Sequence, residues 1–239
     1  MIFLSYLTLK SIKMFYFEEW LLQKCFLCGA LTPQAICVDC EQLLPKMDNC
    51  CRCCASPVSQ PNVLCGNCLK NPPFFDEIKG VFSYQYPLDK LILTAKYGEN
   101  FSVLKQLGML MVEHFKHQSK PDVLIPVPSH LKDLKKRGFN QAVELAKLLR
   151  KHLQIPLNTE SCHCVKHKRP QEGLSAKERH ANVRDIFTVR QIPTHWQHIV
   201  IVDDVVTTGA TVNEIARLCR QQTAAKISVW AGARVNNFL

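Results

Sequence analysis

The sequence predicts an α/β fold, a parallel sheet covered by helices, with a small cysteine-rich module on its N-terminal side. Three observations predict it. Ten of the 13 cysteines fall between Cys25 and Cys68. Beyond Asn71-Pro72-Pro73, short apolar runs alternate with segments of helical spacing, the pattern of helix-covered parallel sheets. Of the 239 residues, 47% are hydrophobic and 21% charged, which fits a packed globular chain and excludes a disordered or collagen-like one.

The composition shifts divide the chain into an N-terminal extension (residues 1–24), a double metal ribbon (25–71) and the α/β domain (72–239). The extension is the most apolar stretch, but it carries Lys10, Lys13, Glu18 and Glu19, which argues against membrane insertion. It lacks the basic start and small-residue cleavage site of a secretory signal. A cytoplasmic location is expected, and Met14 offers a second candidate start.

Within the α/β domain, Ile78–Tyr86 alternates and reads as a strand. Leu88–Tyr97 and Val103–His117 have helical spacing. Asp122–Pro128 is a short apolar run, followed by a basic loop and a helix over Gln141–Leu153. Leu157–Val165 is a weak strand. His167–Val183 is polar, basic and aperiodic, so it reads as a mobile loop. Ile199–Val202 is a buried-type strand, Thr211–Gln222 a helix and Lys226–Arg234 a strand.

Residues 25–70 have no periodic apolar runs, so a fold there needs a staple. Four C-x-x-C pairs supply one: Cys25/Cys28, Cys37/Cys40, Cys51/Cys54 and Cys65/Cys68. A two-residue gap turns both thiolates of a tight turn toward one ion, and two such turns complete a tetrahedral site. Eight ligands make two zinc sites. With four thiolates each they leave no open position, so the zinc is structural. Gly29 and Gly66 fall where such turns want a glycine. Cys50/Cys53 has the same spacing as Cys51/Cys54, and which pairs share an ion is left open.

Charge is uneven. Residues 1–78 hold 6 Lys+Arg and 7 Asp+Glu, whereas 79–239 hold 24 and 13. The excess predicts an anionic partner, phosphates or nucleic acid. A phosphate site is legible in Ile199-Val-Ile-Val-Asp-Asp-Val-Val-Thr-Thr-Gly-Ala-Thr211. An apolar strand ends in Asp203 and Asp204, and Thr207, Thr208, Gly209, Ala210 and Thr211 turn into a helix. Backbone N–H groups at such a turn form an anion nest. Gly209 admits close approach of a phosphate. The paired carboxylates suit ribose hydroxyls or a Mg²⁺ held with them. A Walker B reading lacks its Walker A partner.

That string resembles the signature of type I phosphoribosyltransferases, which bind 5-phosphoribosyl 1-diphosphate (PRPP). Pro126-Val-Pro128, Arg137-Gly-Phe-Asn-Gln141, Gln171-x-x-Leu174, Arg179-x-x-Asn182-Val183 and Phe187 come in the order found in the ComF family of competence proteins, which includes ComFC and GntX. Cys54-Ala-Ser-Pro57 looks like that family's C-G-x-P, with Ala55 in place of Gly, and favours Cys51/Cys54 as ligands. Lys96-Tyr97-Gly98 resembles its K-Y-x-G. The resemblance covers roughly residues 25–235. It implies a zinc-ribbon head on a domain of type I phosphoribosyltransferase type, with PRPP and Mg²⁺ held at Asp203, Asp204, Thr207–Thr211, Arg137 and Lys96. Arg137-Gly-Phe is also similar to the pyrophosphate loop of purine phosphoribosyltransferases, a family whose mobile loop closes over the transition state; the resemblance makes Lys166, Lys168 and Arg169 the candidate cations of that loop here. Lys168 stands where the family leads one to expect a Thr. The implied role is DNA uptake and natural transformation, with single-stranded DNA and DNA-uptake machinery proteins as partners. The alternative it implies is transfer of ribose 5-phosphate from PRPP to a nitrogen acceptor. No catalytic residue is assigned.

Overall fold

The structure is a computed structural model that describes residues 22–96, 101–166 and 185–235. It divides into two compact units between Leu44 and Pro45. The compositional boundary after Asn71 therefore lies inside the second unit.

In the first unit, β1 (Gln23–Lys24) and β2 (Leu31–Thr32) form an antiparallel hairpin, and α1 (Val38–Gln42) follows. The tight turn between the strands closes by a 2.9 Å bond from the Gly29 amide to the Cys25 carbonyl. Gly29 takes φ +77° there, a conformation that glycine adopts without a Cβ penalty.

The second unit begins with the second cysteine segment and its short helix α2 (Gly66–Lys70). Then come β3 (Glu77–Ser83), α3 (Leu88–Lys96), α4 (Phe101–Phe115), β4 (Val123–Pro126), α5 (Leu131–Arg137), α6 (Gln141–Leu153), β5 (Cys162–Cys164), β6 (Phe187–Val189), β7 (His198–Val206), α7 (Ala210–Arg220) and β8 (Lys226–Arg234). The main sheet is parallel throughout, in the order β3-β8-β7-β4. β5 and β6 form a separate antiparallel pair.

Its strands read as near-continuous apolar runs because both faces are covered. Side chains alternate across the sheet. Ile199, Ile201, Val229 and Ala231 join Val212, Ile215 and Cys219 of α7 in one buried cluster. On the opposite face, Phe115 of α4 stacks on Trp230 of β8, with centroids 4.3 Å apart and planes 3° from parallel. Gly108 lets α4 and α6 approach closely: a Cβ there would meet Leu148 Cδ1 at 2.3 Å. The first cluster also contains Cys51, Cys53, Ala55 and Cys68. The second cysteine module is thus packed into the core of the α/β unit.

Most expected elements lie within two or three residues of their predicted bounds, and α6 coincides. Two differ. The basic stretch after β4 is helix α5, started by the His130 Nδ1 cap on the Lys132 amide and ended by Gly138 at φ +79°. It buries no residue, so it has no apolar periodicity to announce it. Of Leu157–Val165, the strand keeps Cys162–Cys164, while Leu157 makes a single bridge to Leu124. The expected loop over 167–183 lies outside the described residues, as do Tyr97, Gly98, Lys168, Arg169, Gln171 and Asn182. Among the described residues no helix is long and apolar enough to cross a membrane.

Candidate functional site

The two thiol clusters are built on one plan. Cys25, Cys28, Cys37 and Cys40 form one and Cys51, Cys54, Cys65 and Cys68 the other, each with its sulfurs within 4.8 Å of one another. Adjacent C-x-x-C pairs therefore share a centre. In each, the first pair sits on a tight turn and the second opens a short helix, with Cys37 and Cys65 as the N-cap residues. In each, the N-cap amide donates to the first sulfur: Cys37 to Cys25 Sγ at 3.3 Å, and Cys65 to Cys51 Sγ at 3.2 Å.

The donor sets fit zinc. A tetrahedron with Zn–S bonds of ~2.3 Å has sulfurs about 3.8 Å apart. Cys28 and Cys37 stand at 3.7 Å and Cys54 and Cys65 at 3.6 Å. Burial raises the Cys25 thiol, but amides of Cys37, Cys28 and Leu27 outweigh it and bring the pKa down to about 6. At Cys51, amides of Cys54, Cys65 and Cys53 likewise outweigh burial and bring it to about 7. Burial and the neighbouring sulfurs push Cys40 and Cys68 up. Four thiols so close resist joint ionisation until a cation joins them.

The structure selects Cys51/Cys54 over Cys50/Cys53. Cys53 faces the core, where burial raises its thiol to about 11, and its carbonyl accepts from the Ile78 amide at 2.6 Å. One expectation is corrected: Gly66 lies in α2 without a positive φ, and the counterpart of Gly29 in the second centre is Ala55, at φ +56°. The turn geometry belongs to the residue after each first pair, not to the one after Cys65.

The second feature is a cavity of about 340 Å³ at the carboxyl ends of β4 and β7. It forms where open α/β sheets bind ligands. β4 is followed by α5 and α6, the latter packed against β4 and β7, and β7 is followed by α7. Lys96, Arg137, Asp203, Asp204, Thr207 and Thr211 all line it, together with Ser129, His130, Asp133, Asn140, Gln141 and Cys164. Thr208, Gly209 and Ala210 stand in the adjoining turn and do not line it. β7 continues through the acids to Val206, so the carboxylates project from the strand itself.

Lys96 Nζ lies 3.2 Å from Asp204 Oδ2. The contact is ionic, without the alignment of a directed hydrogen bond. Burial alone would lower the Lys96 ammonium, but Asp204 and then Asp203 outweigh it and the net shift is upward. Asp203 Oδ1 accepts from the Asp204 amide at 3.0 Å. Gly209, at φ +80° and ψ 0°, is the N-cap of α7, and the Ala210 amide donates to Thr208 Oγ1 at 3.3 Å.

The Arg137–Gln141 string resolves into separate tasks. Arg137 faces the cavity and Gly138 ends α5. Phe139 meets Phe101 edge-on at 5.9 Å. Asn140 caps α6 through the Ala142 amide and donates to the Val127 carbonyl. Gln141 donates to the Lys96 carbonyl at 3.2 Å, which fixes the end of α3 against the cavity.

Sequence reasoning missed Arg234, buried at the end of β8. It reaches the cavity turn on one side and the second cysteine module on the other. Burial lowers its guanidinium pKa, with Cys54 opposing. The signal was a lone cation closing an apolar strand.

A chain with two four-cysteine centres and a parallel, helix-covered α/β sheet is the class these features define. The chain belongs to the ComF family of competence proteins. It is 34% identical over 212 residues to competence protein F of Haemophilus influenzae, covering 85% of this chain and 92% of that protein. It is 32% identical over 219 residues to DNA utilization protein YhgH of Escherichia coli K12, covering 88% and 96%. Among solved structures it is similar to a purine phosphoribosyltransferase from Pyrococcus horikoshii, at 20% identity and a TM-score of 0.35 over 55% of this chain and 82% of that one. No protein-family model matches the chain.

Proposed function

We propose that this chain acts in DNA uptake on the cytoplasmic side of the membrane, binding PRPP with Mg²⁺ in the β4–β7 cavity and single-stranded DNA on the basic surface beside it. The observation that carries the reading is the convergence of Lys96, Arg137, Asp203, Asp204, Thr207 and Thr211 on one cavity. The names of the relatives, competence and DNA utilization, support the cellular role. The Thr207–Thr211 turn takes the 5-phosphate on backbone amides and hydroxyls. Asp203 and Asp204 take the ribose hydroxyls, and Arg137 takes the diphosphate in bidentate fashion. Mg²⁺ neutralises the diphosphate. The two zinc ions hold the cysteine modules folded.

Titration calorimetry with PRPP–Mg²⁺ and with a single-stranded oligonucleotide, on one preparation, tests this. Both bind wild type. Asp203→Ala with Asp204→Ala weakens PRPP by at least the ~1.5–3 kcal/mol of a charge-assisted hydrogen bond and leaves the oligonucleotide bound. PRPP affinity equal to wild type in the double variant overturns the ligand placement.

One observation favours a second reading, phosphoribosyl transfer. His130 and Asp133 line the cavity on the same side as Arg137, so polar groups remain beside those assigned to PRPP. They could receive a nitrogen acceptor. Release of pyrophosphate from PRPP on addition of an acceptor checks it, and silence across nucleobases and ammonia counts against it.

A further inference from the structure

Arg234 ties the cavity turn to the second cysteine module. Its Nε donates to the Cys54 carbonyl at 2.9 Å and its Nη2 to Ser56 Oγ at 3.2 Å. Its Nη1 donates to the Thr207 carbonyl, to the Val235 carbonyl at 2.7 Å and more weakly to the Val206 carbonyl at 3.3 Å. One guanidinium thus holds both ends of a short span. On one side is the turn that carries two ligands of the second centre. On the other is the first residue of the Thr207–Thr211 nest.

The residue is 5% exposed, and these partners are all neutral oxygens. A buried cation needs a counter-charge. Cys54, whose carbonyl it holds, belongs to the second centre, and a zinc ion held there by four thiolates would carry a net charge of minus two. Ser56 Oγ also lies 3.2 Å from Cys54 Sγ, and its hydroxyl can donate to that sulfur once it is a thiolate. The ligand turn, the hydroxyl, the guanidinium and the Thr207 carbonyl are therefore one connected chain. The first centre, on Cys25–Cys40, has no part in it.

We propose that Arg234 is a positioning residue that makes the anion-binding turn after β7 depend on an intact second cysteine centre. With the Cys51–Cys68 centre formed, the Cys54 carbonyl and the Ser56 hydroxyl fix the guanidinium. The guanidinium then fixes the Val206 and Thr207 carbonyls, which sets the direction of the amides that follow. A nest binds an anion only while successive amides converge. Loss of the second centre releases two of the acceptors of Arg234 and loosens the nest, while the Arg137 side of the cavity stands on α5 and is held independently. The ligand half of this inference rests on the PRPP reading above; the mechanical half does not.

The test uses the full chain and two readouts. The first is hydrogen–deuterium exchange over residues 205–213, which needs no ligand. The second is calorimetry with ribose 5-phosphate and, separately, inorganic pyrophosphate. Arg234→Lys keeps the charge and gives up the fork, and Cys65→Ser breaks the second centre. In both, exchange over 205–213 rises at least tenfold and ribose 5-phosphate weakens at least tenfold, while pyrophosphate changes less than threefold. Cys28→Ser, which breaks the first centre, has the smaller effect on 205–213. A merely structural Arg234 would weaken both ligands alike, and that result overturns the proposal. Should Cys65→Ser fail to fold, Ser56→Ala takes its place, since it deletes one acceptor and leaves all eight ligands. Exchange over 205–213 equal to wild type in Arg234→Lys and Ser56→Ala overturns the proposal. If wild type binds neither phosphate compound, the PRPP reading fails, and exchange alone decides the coupling.

Discussion

Lys96 Nζ stands 3.2 Å from Asp204 Oδ2, joining the last residue of α3 to the acid pair of β7. Two expected ligand residues therefore partner each other, and the site carries its own cation against its carboxylates. The side chains are 26% and 15% exposed, so the pair is mostly desolvated and breaking it leaves a buried charge. Lys96→Met is expected to cost about 1–3 kcal/mol, and Asp204→Asn a similar amount. The double variant should cost clearly less than the two added together, because neither single change then leaves an unpaired partner. Urea unfolding of the four proteins checks this. Additive losses would show that the pair does not interact.

Ala55 sits at φ +56° in the turn of the second centre, where the first centre has Gly29 at φ +77°. A non-glycine residue in the left-handed region is strained by roughly 1–2 kcal/mol, and the extra unfolded-state freedom of glycine returns part of that. Ala55→Gly should stabilise the chain by about 0.5–1 kcal/mol. Zinc content should stay at about two per chain, the count for two four-thiolate sites. A lower denaturation midpoint in the variant would show that the lost methyl contact in the core outweighs the relief of strain.

His198 opens β7, and its Nε2 lies 2.8 Å from Ser228 Oγ, which donates to Glu77 Oε1 at 2.9 Å. The serine proton is thus committed to Glu77, and the histidine donates from Nε2 as the neutral ring. Burial, then Lys226, holds its pKa below 6.5, against the opposing pull of Glu77 and Asp122. A depressed folded pKa means that the unfolded chain takes up the proton first. The stabilising contribution is present above about pH 6.5 and is lost as pH falls through the lower folded value. His198→Gln keeps an N–H donor and removes the titration. The fall in melting temperature between pH 7.5 and 5.5 should be shallower in the variant than in wild type. Parallel profiles would mean that other groups, His114 among them, govern the acid limb.

What was legible in the sequence had local causes. The strand, acid pair and turn of Ile199–Thr211 are one unbroken string, and β7 and α7 carry it as one strand–turn–helix. α6 was legible because Asn140 caps it and Ala142, Leu145, Ala146 and Leu149 put an apolar face on the core. α5 was not, since Leu131 and Leu134 line no core and only its caps mark its ends. The C-x-x-C pairs were legible, whereas their partition into centres depends on how two turns meet in space. The partners of Arg234 were beyond reach for the same reason: Cys54 lies 180 residues away in sequence and Val206 lies 28 away.

The basic surface beside the cavity lends itself to a salt experiment. Lys132, Lys135 and Lys136 are exposed on α5, and Arg137 ends the same helix inside the cavity. Exposed lysines engage phosphates by charge and not by base identity. Binding of a single-stranded oligonucleotide should therefore weaken as salt rises, with the log–log slope steeper by ~0.7 for each phosphate neutralised. Lys135→Glu with Lys136→Glu should flatten that slope and weaken oligo-dT and mixed sequences alike. PRPP should compete with the oligonucleotide only if a phosphate of the strand enters the cavity at Arg137, which fluorescence anisotropy with added PRPP reads directly. An affinity that does not change between low and high salt would remove the electrostatic basis of the interface. A double variant with the wild-type slope would move the interface away from α5.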